Sequence, residues 1–491
     1  MSRSRKRPAA DGVIVRPRAR SLLLGGLITL ALGAGVLVYA IEQVGVMPRT
    51  LAPYIERRAS GHNPTIVQTG SLLSRTLLTL DRGPSHGAVA GLPSSLGVRP
   101  EPAGVIGAPG LTVTTPDELR AALARVEPGT TVTLLPGTYR VRGRALDANR
   151  PGRADAPIVV RAVQPGSVVL ELDLTEGFRV SAPHWRFENL DIRGVCRDDQ
   201  WCEHAFHVVG EGSYFTAINN RISDFNAHFK INGRRGHFPD HGLIASNTLF
   251  NTRVRRTSNP VSPIDLVAAS GWTIRANVIT DFVKDGGDRV SYGGFAKGAG
   301  SDNVFERNLV WCEQRLAGAP GQRVGLSLGG GGTGASVCRD GKCIVEQERG
   351  TLRANLIAGC SDVGIYINGA AASQVADNTV VDTAGIDVRF PNSSAQLEGN
   401  LVDGPIRSRD GALLHLGENR SSPLWQAFVG MHPVRNLFAA PLEGDLRWDG
   451  AAPRRVGKPA PGPGLCGTPR TTSAAYGAFD DFNDCLGSAG R

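Results

Sequence analysis

The residues of this 491-residue chain best equipped for chemistry lie between 263 and 409. They are Asp265, Tyr292, Lys297, Arg323, Ser327, Tyr366, Asn368, Asp387, Arg389, Arg407 and Arg409. A guanidinium binds a carboxylate through two parallel hydrogen bonds. A lysine that sheds its proton can act as a base, and a tyrosine can hand a proton on. Together these types suit removal of a proton next to a carboxylate, where a cation neutralises the acid, a base takes the proton and a donor completes the step. Any one of them alone is more often a solvated surface charge or a snorkelling stem. The set gains weight only if the chain brings its members together.

Six short segments carry them: 263–267, 292–298, 323–329, 362–368, 385–390 and 405–409. Period-2 alternation points Ile264, Leu266, Val324, Leu326, Val363, Ile365, Ile367, Ile386, Val388 and Ile406 into a core and turns the polar set outward. In one parallel sheet, with strands roughly 4.7–4.9 Å apart, the outward set becomes a charged and aromatic strip along an axis, a shape that suits a polymer.

The elements that must position the strip are set by a repeated phrase, apolar-x-x-Asn-x-apolar. It occurs at 244–249 (IASNTL), 274–279 (IRANVI), 305–310 (FERNLV), 352–357 (LRANLI), 375–380 (VADNTV) and 397–402 (LEGNLV), with variants at 187–192 and 218–222. From Asn220 through Asn247, Asn277, Asn308, Asn355, Asn378 and Asn400 the steps are 27, 30, 31, 47, 23 and 22 residues. Such a period is that of a solenoid. Stacked asparagines can bond along its axis and satisfy polar groups that would otherwise be buried unpaired, a structural role. The step of 47 holds the glycine-rich run 329–334 and Cys338 with Cys343, and is one coil with an insertion or two coils.

Upstream, Thr115 can cap a short helix with Pro116 at its first position, Glu118 completing a capping box and Leu119, Ala122 and Leu123 on one face. The adjoining GTTVTLLPGTYRV, 129–141, reads as strand, turn, strand. A helix over the end of the coil closes what an open solenoid leaves exposed. The fold class expected is therefore all-β, a right-handed parallel β-helix over 111–410 with a short capping helix. Residues 42–110 show no sustained period beyond a short helix near 51–59 and read as a linker or stalk; 411–491 read as a terminal rung and tail.

The formal net charge of +9 is concentrated at one end. Arg3, Arg5, Lys6, Arg7, Arg16, Arg18 and Arg20 precede Leu22, leaving the rest nearly balanced, which argues against nucleic-acid binding. Residues 22–41 carry no charge over 20 positions, the length of one membrane-spanning helix. The basic residues 1–21 then stay in the cytoplasm. The long basic region and absence of a clear cleavage site favour an uncleaved anchor over a signal peptide. The expectation is a single-pass protein of the plasma membrane, with its folded body in the periplasm or outside the cell. All eight cysteines lie in that body. Cys196 with Cys202, Cys338 with Cys343, and Cys466 with Cys485 are plausible local disulfides, and a larger loop can join Cys312 to Cys360; no C-x-x-C or histidine spacing favours zinc.

GTTVTLLPGTYRV, the asparagine phrases and VSYGGFAKGAGSDNVFERNLV resemble the right-handed parallel β-helix superfamily of carbohydrate-active proteins, which is pectate lyase-like and more faintly similar to chondroitinase B and alginate lyases. The resemblance covers about 111–410 and bears on fold more than on activity. RVGLSLGGGGTG at 323–334 and GIDVRF at 385–390 also resemble a less characterised bacterial β-helix group, which implies no particular reaction.

The resemblance implies an acidic polysaccharide as partner and a lyase (β-elimination) or C5-epimerase reaction. By likeness to the lysine that comes after a strand in alginate lyases, it makes Lys297 the base. Arg323, Arg389 or Arg407 would then hold carboxylates and Tyr366 would donate a proton. Asp265, Tyr292, Asn368, Asp387, Arg389, Arg407 and Arg409 would line the glycan. The chain departs from the family patterns in lacking paired glutamates before the lysine and an Asp-Pro-x-Asp-Tyr phrase. No cofactor is required by these residues; calcium is the one left open, through Asp281, Asp285 and Asp288, although Asp-Gly-Gly-Asp also reads as a plain turn. Glycoside hydrolysis ranks lower, because the outward Asp265 and Asp387 are several coils apart. The alternative to an enzyme is a β-helix that binds a glycan or scaffolds an envelope assembly without catalysis.

Overall fold

The computed structural model describes residues 19–84, 93, 95–103, 110–330, 332–455, 460 and 462–486. Residues 1–46 and 47–491 are separate units. In the first, α1 (Ala19–Val44) contains the apolar run 22–41 and exposes Ile28, Leu32, Val36, Leu37, Tyr39 and Val44. Among the described residues, no single helix is long and apolar enough to cross a membrane. Most of the basic tail lies outside the described residues.

The second unit is a coil of three parallel sheets, with 12, 10 and 11 strands among the described residues. Each turn of chain gives one strand to each sheet; Leu243–Ala245, Thr248–Phe250 and Ile264–Val267 make one such turn. The bend between the first two strands holds the asparagine ladder. Nδ2 of each asparagine donates to Oδ1 of the next through Asn220, Asn247, Asn277, Asn308, Asn355, Asn378 and Asn400, and on to Asn419. The same Oδ1 atoms accept the backbone N–H groups of the preceding coil, so each side chain replaces hydrogen bonds that the bend removes from the sheets. The direct Asn308–Asn355 link makes the 47-residue step one coil with an insertion.

The interior is a continuous apolar column. Phe178, Phe206 and Phe229 stack with centroids 5.3 and 5.2 Å apart. Helix α4 (Pro116–Arg125) buries Leu119, Ala122 and Leu123 at the N-terminal end; Thr115 accepts from Glu118 N, while the Glu118 carboxylate accepts from Thr114. All four cysteine pairs are joined: Cys196 to Cys202, Cys312 to Cys360, Cys338 to Cys343 and Cys466 to Cys485.

Two features depart from the sequence reading. The segment read as a stalk carries α2 (Pro48–Ala59) and α3 (Pro64–Arg82), packed so closely that a Cβ on Gly70 would sit 2.4 Å from that of Ala59. The hairpin is fastened to the late coils: the buried Arg49 bridges Asp81 and Asp382 and donates to Cys360 O, while Arg82 reaches Asp382. Residues 97–103 then run back along the coil, Gly97 N to Ala276 O, Val98 N to Thr248 Oγ1, Arg99 N to Asn219 Oδ1 and Ala103 N to Asn189 Oδ1. The second departure is in alternation. Val324 and Val363 are buried but lie outside the core column. Gly293, Gly325 and Gly364 face inward instead, against Val310, Ile357 and Val380, and push the preceding residues to the outer surface.

The C-terminal chain adds Leu413–Leu416 and Arg420–Ser421 to two sheets. It then lies over the 11-stranded sheet, where Phe438, Leu446, Phe479 and Phe482 cover Leu309, Trp311 and Leu356.

Candidate functional site

The six strands expected to carry the strip are consecutive in the ten-stranded sheet, as Ile264–Val267, Val290–Lys297, Gln322–Gly329, Ile365–Asn368, Ile386–Arg389 and Ile406–Arg409. Their register forms two outward rows. The first runs Arg179, His207, Lys230, Asp265, Phe295, Ser327, Tyr366, Asp387, Arg407. The second, two residues further along each strand, includes Val267 beside Lys297, and then Asn368, Arg389 and Arg409 in sequence.

Much of this face is closed by its own ion pairs. The buried Asp387 is held by Arg407 at 3.0 Å and by Arg409 at 2.5 Å. Arg389 pairs with Asp410 at 2.5 Å. Burial raises the Tyr366 pKa, with Arg389 pulling the other way. Ser327 is buried and donates to Gly329 O, and Asn368 is buried. Asp265 is buried too, both carboxylate oxygens 2.9 Å from Lys230 Nζ.

Arg323 is not on the strip. Its guanidinium is buried, donating to Glu313 Oε1 from Nε at 2.9 Å and from a terminal nitrogen at 2.6 Å, and to the carbonyls of Ala319 and Pro320. The inward glycine at 325 shifts the alternation by one, which carries Arg323 beneath the loop 313–320. Arg323 pairs with Ser291, and Lys297 is six residues further along that neighbouring strand, about 20 Å at 3.3 Å per residue. The two were expected to converge and do not. Tyr292, in register with Val324, lies against Phe295 at 5.5 Å, and burial pushes its phenol up to about 12, with Tyr366 and Asp362 adding to the effect.

Lys297 differs from the other cations. It is half-buried, its Nζ rests 4.6 Å from the centre of the Phe295 ring, and among the described residues no carboxylate pairs with it. Phe295 belongs to a buried apolar cluster with Val267 and Ala268, against which Phe238 and Tyr292 pack. A cation over an aromatic face is held by the ring quadrupole, so the amine is positioned without a counter-ion among the described residues.

The upstream half of the row was missed. His207 places Nδ1 3.0 Å from Glu176 and Nε2 2.8 Å from Asn232 Oδ1, so neighbouring acceptors fix the ring. That contact lowers Glu176, while burial raises Glu203 and pushes His204 down to about 4. The signal was present: Phe178, Phe206 and Phe229 recur at coil spacing, each next to Arg179, His207 or Lys230.

Calcium does not fit the acids singled out for it. Asp281 Oδ1 accepts the backbone N–H groups of Gln314, Arg315 and Leu316, Asp285 pairs with Arg289, and Asp288 pairs with Lys284. Among the described residues no group of three or more histidine, cysteine or carboxylate side chains is placed to hold a metal.

The fold is that of the pectate lyase-like parallel β-helix proteins. No family model matches the chain. It is 24% identical over 164 residues to pectate lyase L of Dickeya chrysanthemi, covering 31% of this chain and 35% of that protein. It is 29% identical over 140 residues to pectate lyase L of Dickeya dadantii (strain 3937), covering 23% and 33%. The chain thus spans about a third of the length of these curated relatives. The solved structure of pectate lyase Pel9A shares 16% identity at a TM-score of 0.51, over 76% of this chain and 98% of that one.

Proposed function

We propose that this protein is a membrane-anchored, extracytoplasmic enzyme that acts on an acidic polysaccharide by β-elimination, with Lys297 as the base. The observation that carries the reading is Lys297 itself, a lysine without a carboxylate partner among the described residues, set beside Phe295 on the long sheet face. Arg179 upstream supplies a cation to receive a carboxylate, and the half-buried Tyr366 is the candidate donor in the predicted set. C5-epimerisation begins with the same proton abstraction and differs in the fate of the carbanion, which is reprotonated from the opposite face instead of expelling the leaving group. The pectate lyase relatives support an acidic glycan as substrate. The charge-free run 22–41, within α1 and preceded by a basic segment, supports the anchor and its orientation.

The test incubates the full chain in detergent with a panel of uronic-acid polymers and monitors absorbance of the unsaturated product, with solvent deuterium at C5 as the readout for epimerisation. Lys297→Ala should cut either signal by about a hundredfold or more, the usual weight of a general base. Equal rates in wild type and variant would remove Lys297 from the reaction. Resistance of the protein to alkaline extraction from membranes tests the anchor separately.

A second reading, a glycan-binding or scaffold β-helix without catalysis, is favoured by one observation: Arg389, Arg407 and Arg409 are engaged by Asp410 and Asp387. It predicts retention of the polymer with no product and no deuterium uptake.

A further inference from the structure

The insertion within the long coil does more than lengthen it. Gly329 and Gly330 end the strand next to Lys297, and a Cβ on Gly330 would lie 2.7 Å from Lys297 Cδ. The backbone therefore crosses directly over the lysine stem, and a side chain at 330 would displace that stem. Beyond the crossing, the chain doubles back. Thr333 donates to Glu346 Oε2 at 2.6 Å, the same oxygen accepts Gly298 N, and the Cys338–Cys343 disulfide closes the loop. Arg339, inside that loop, donates its backbone N–H to Gly298 O at 2.9 Å. Its guanidinium grips both oxygens of Asp240 at 2.8 Å and stacks 4.7 Å from the Phe238 ring. Asp240 is held in turn by Ser270 N at 2.8 Å. A contact 99 residues away in sequence fastens the loop across earlier coils.

We infer that residues 332–346 form a strap that positions Lys297, and that Arg339 and Asp240 are its clasp. The strap confines the stem between backbone and Phe295, so the amine is presented in one place rather than sweeping through solvent. Neither Arg339 nor Asp240 touches the reacting atoms; both are positioning residues. The inference rests on the reading of Lys297 as the base for its catalytic meaning, but the placement itself is testable without any reaction.

The experiment is competitive acetylation of the full chain and then peptide mapping, comparing wild type with Arg339→Ala, Asp240→Asn and Arg339→Lys. Lys230 and Lys284, held by their own carboxylates, serve as internal controls. Opening the clasp should raise labelling at Lys297 severalfold with the controls unchanged, and Arg339→Lys should restore part of the protection. On an active polymer, kcat should fall about tenfold to a hundredfold with little change in KM, the cost of a misplaced group. If Arg339→Ala does not fold, Asp240→Asn reads the same contact. Lys297 labelling that stays at the wild-type level while hydrogen exchange shows 332–346 released would overturn the strap. Changed labelling in a protein with no action on any polymer would leave the strap standing and remove the proposed reaction.

Discussion

Replacing Arg323 separates a structural arginine from a substrate-binding one. In Arg323→Met the buried Glu313 loses two charge-assisted hydrogen bonds and the carbonyls of Ala319 and Pro320 lose their donors. Glu313 keeps Gly318 N at 3.1 Å and Arg82 at 3.5 Å. Removing one partner of a buried pair costs about 3–5 kcal/mol, and the surviving Arg82 places this case near about 3 kcal/mol. The double variant Arg323→Met, Glu313→Leu removes the stranded charge along with its partner and should recover at least half of that loss. Urea unfolding monitored by tryptophan fluorescence gives the stabilities, and retention of an acidic polymer, per folded molecule, gives binding. Retention should be the same in all three proteins. An Arg323→Met protein of wild-type stability that no longer retains polymer would refute the burial argument and return Arg323 to the glycan surface.

Asn308→Ala should cost about 2–6 kcal/mol, because it orphans Ile274 O and Asn277 N inside the coil at about 1–3 kcal/mol each and leaves Asn277 Nδ2 with Ile244 O alone, whereas Asn419→Ala at the open end, where water can substitute, should cost under about 2 kcal/mol; equal unfolding midpoints would contradict the ladder's role. Burial depresses His204 to about 4 and His228 to about 3. The unfolded chain binds those protons nearer 6.5, so stability is complete above about pH 6.5 and is lost as pH falls towards 4, by roughly 3 kcal/mol for His204 alone. Urea midpoints between pH 7.5 and 4.5 should show this slope, and His204→Gln should flatten it. Gly325→Val should destabilise the fold by about 1–3 kcal/mol or more, since its side chain would enter space held by Ile357 and the Gly364 carbonyl; an unchanged midpoint would mean the glycine column is not close-packed.

The coil was legible because its repeat is local in sequence. Each asparagine sits in its own short phrase, and the ladder they form needs no knowledge of what lies between. The same period defined the sheet, down to the order of six strands. The site was less legible, for a physical reason. Alternation assigns a face correctly only while every residue has a side chain to place, and Gly293, Gly325 and Gly364 let two successive positions turn inward. That moved Arg323 and Val324 off their expected faces. Ion pairing is also invisible to periodicity: Asp387 looked like a binding residue until Arg407 and Arg409 closed on it. Helix α3 escaped because its buried side consists of Gly70, Ser74, Leu77 and Asp81, where a single leucine among small or polar residues gives no apolar stripe.

The route of the first 100 residues has a consequence for the timing of synthesis. Arg49 meets Asp81 within its own hairpin, but its other carboxylate partner, Asp382, is 333 positions later. At about 5–20 residues per second, roughly 15 to 70 seconds separate the emergence of the two from the ribosome. The contacts of Arg49 and Arg82 with Asp382 cannot form until that stretch of the coil has been made, so the molecule fastens its beginning late in synthesis.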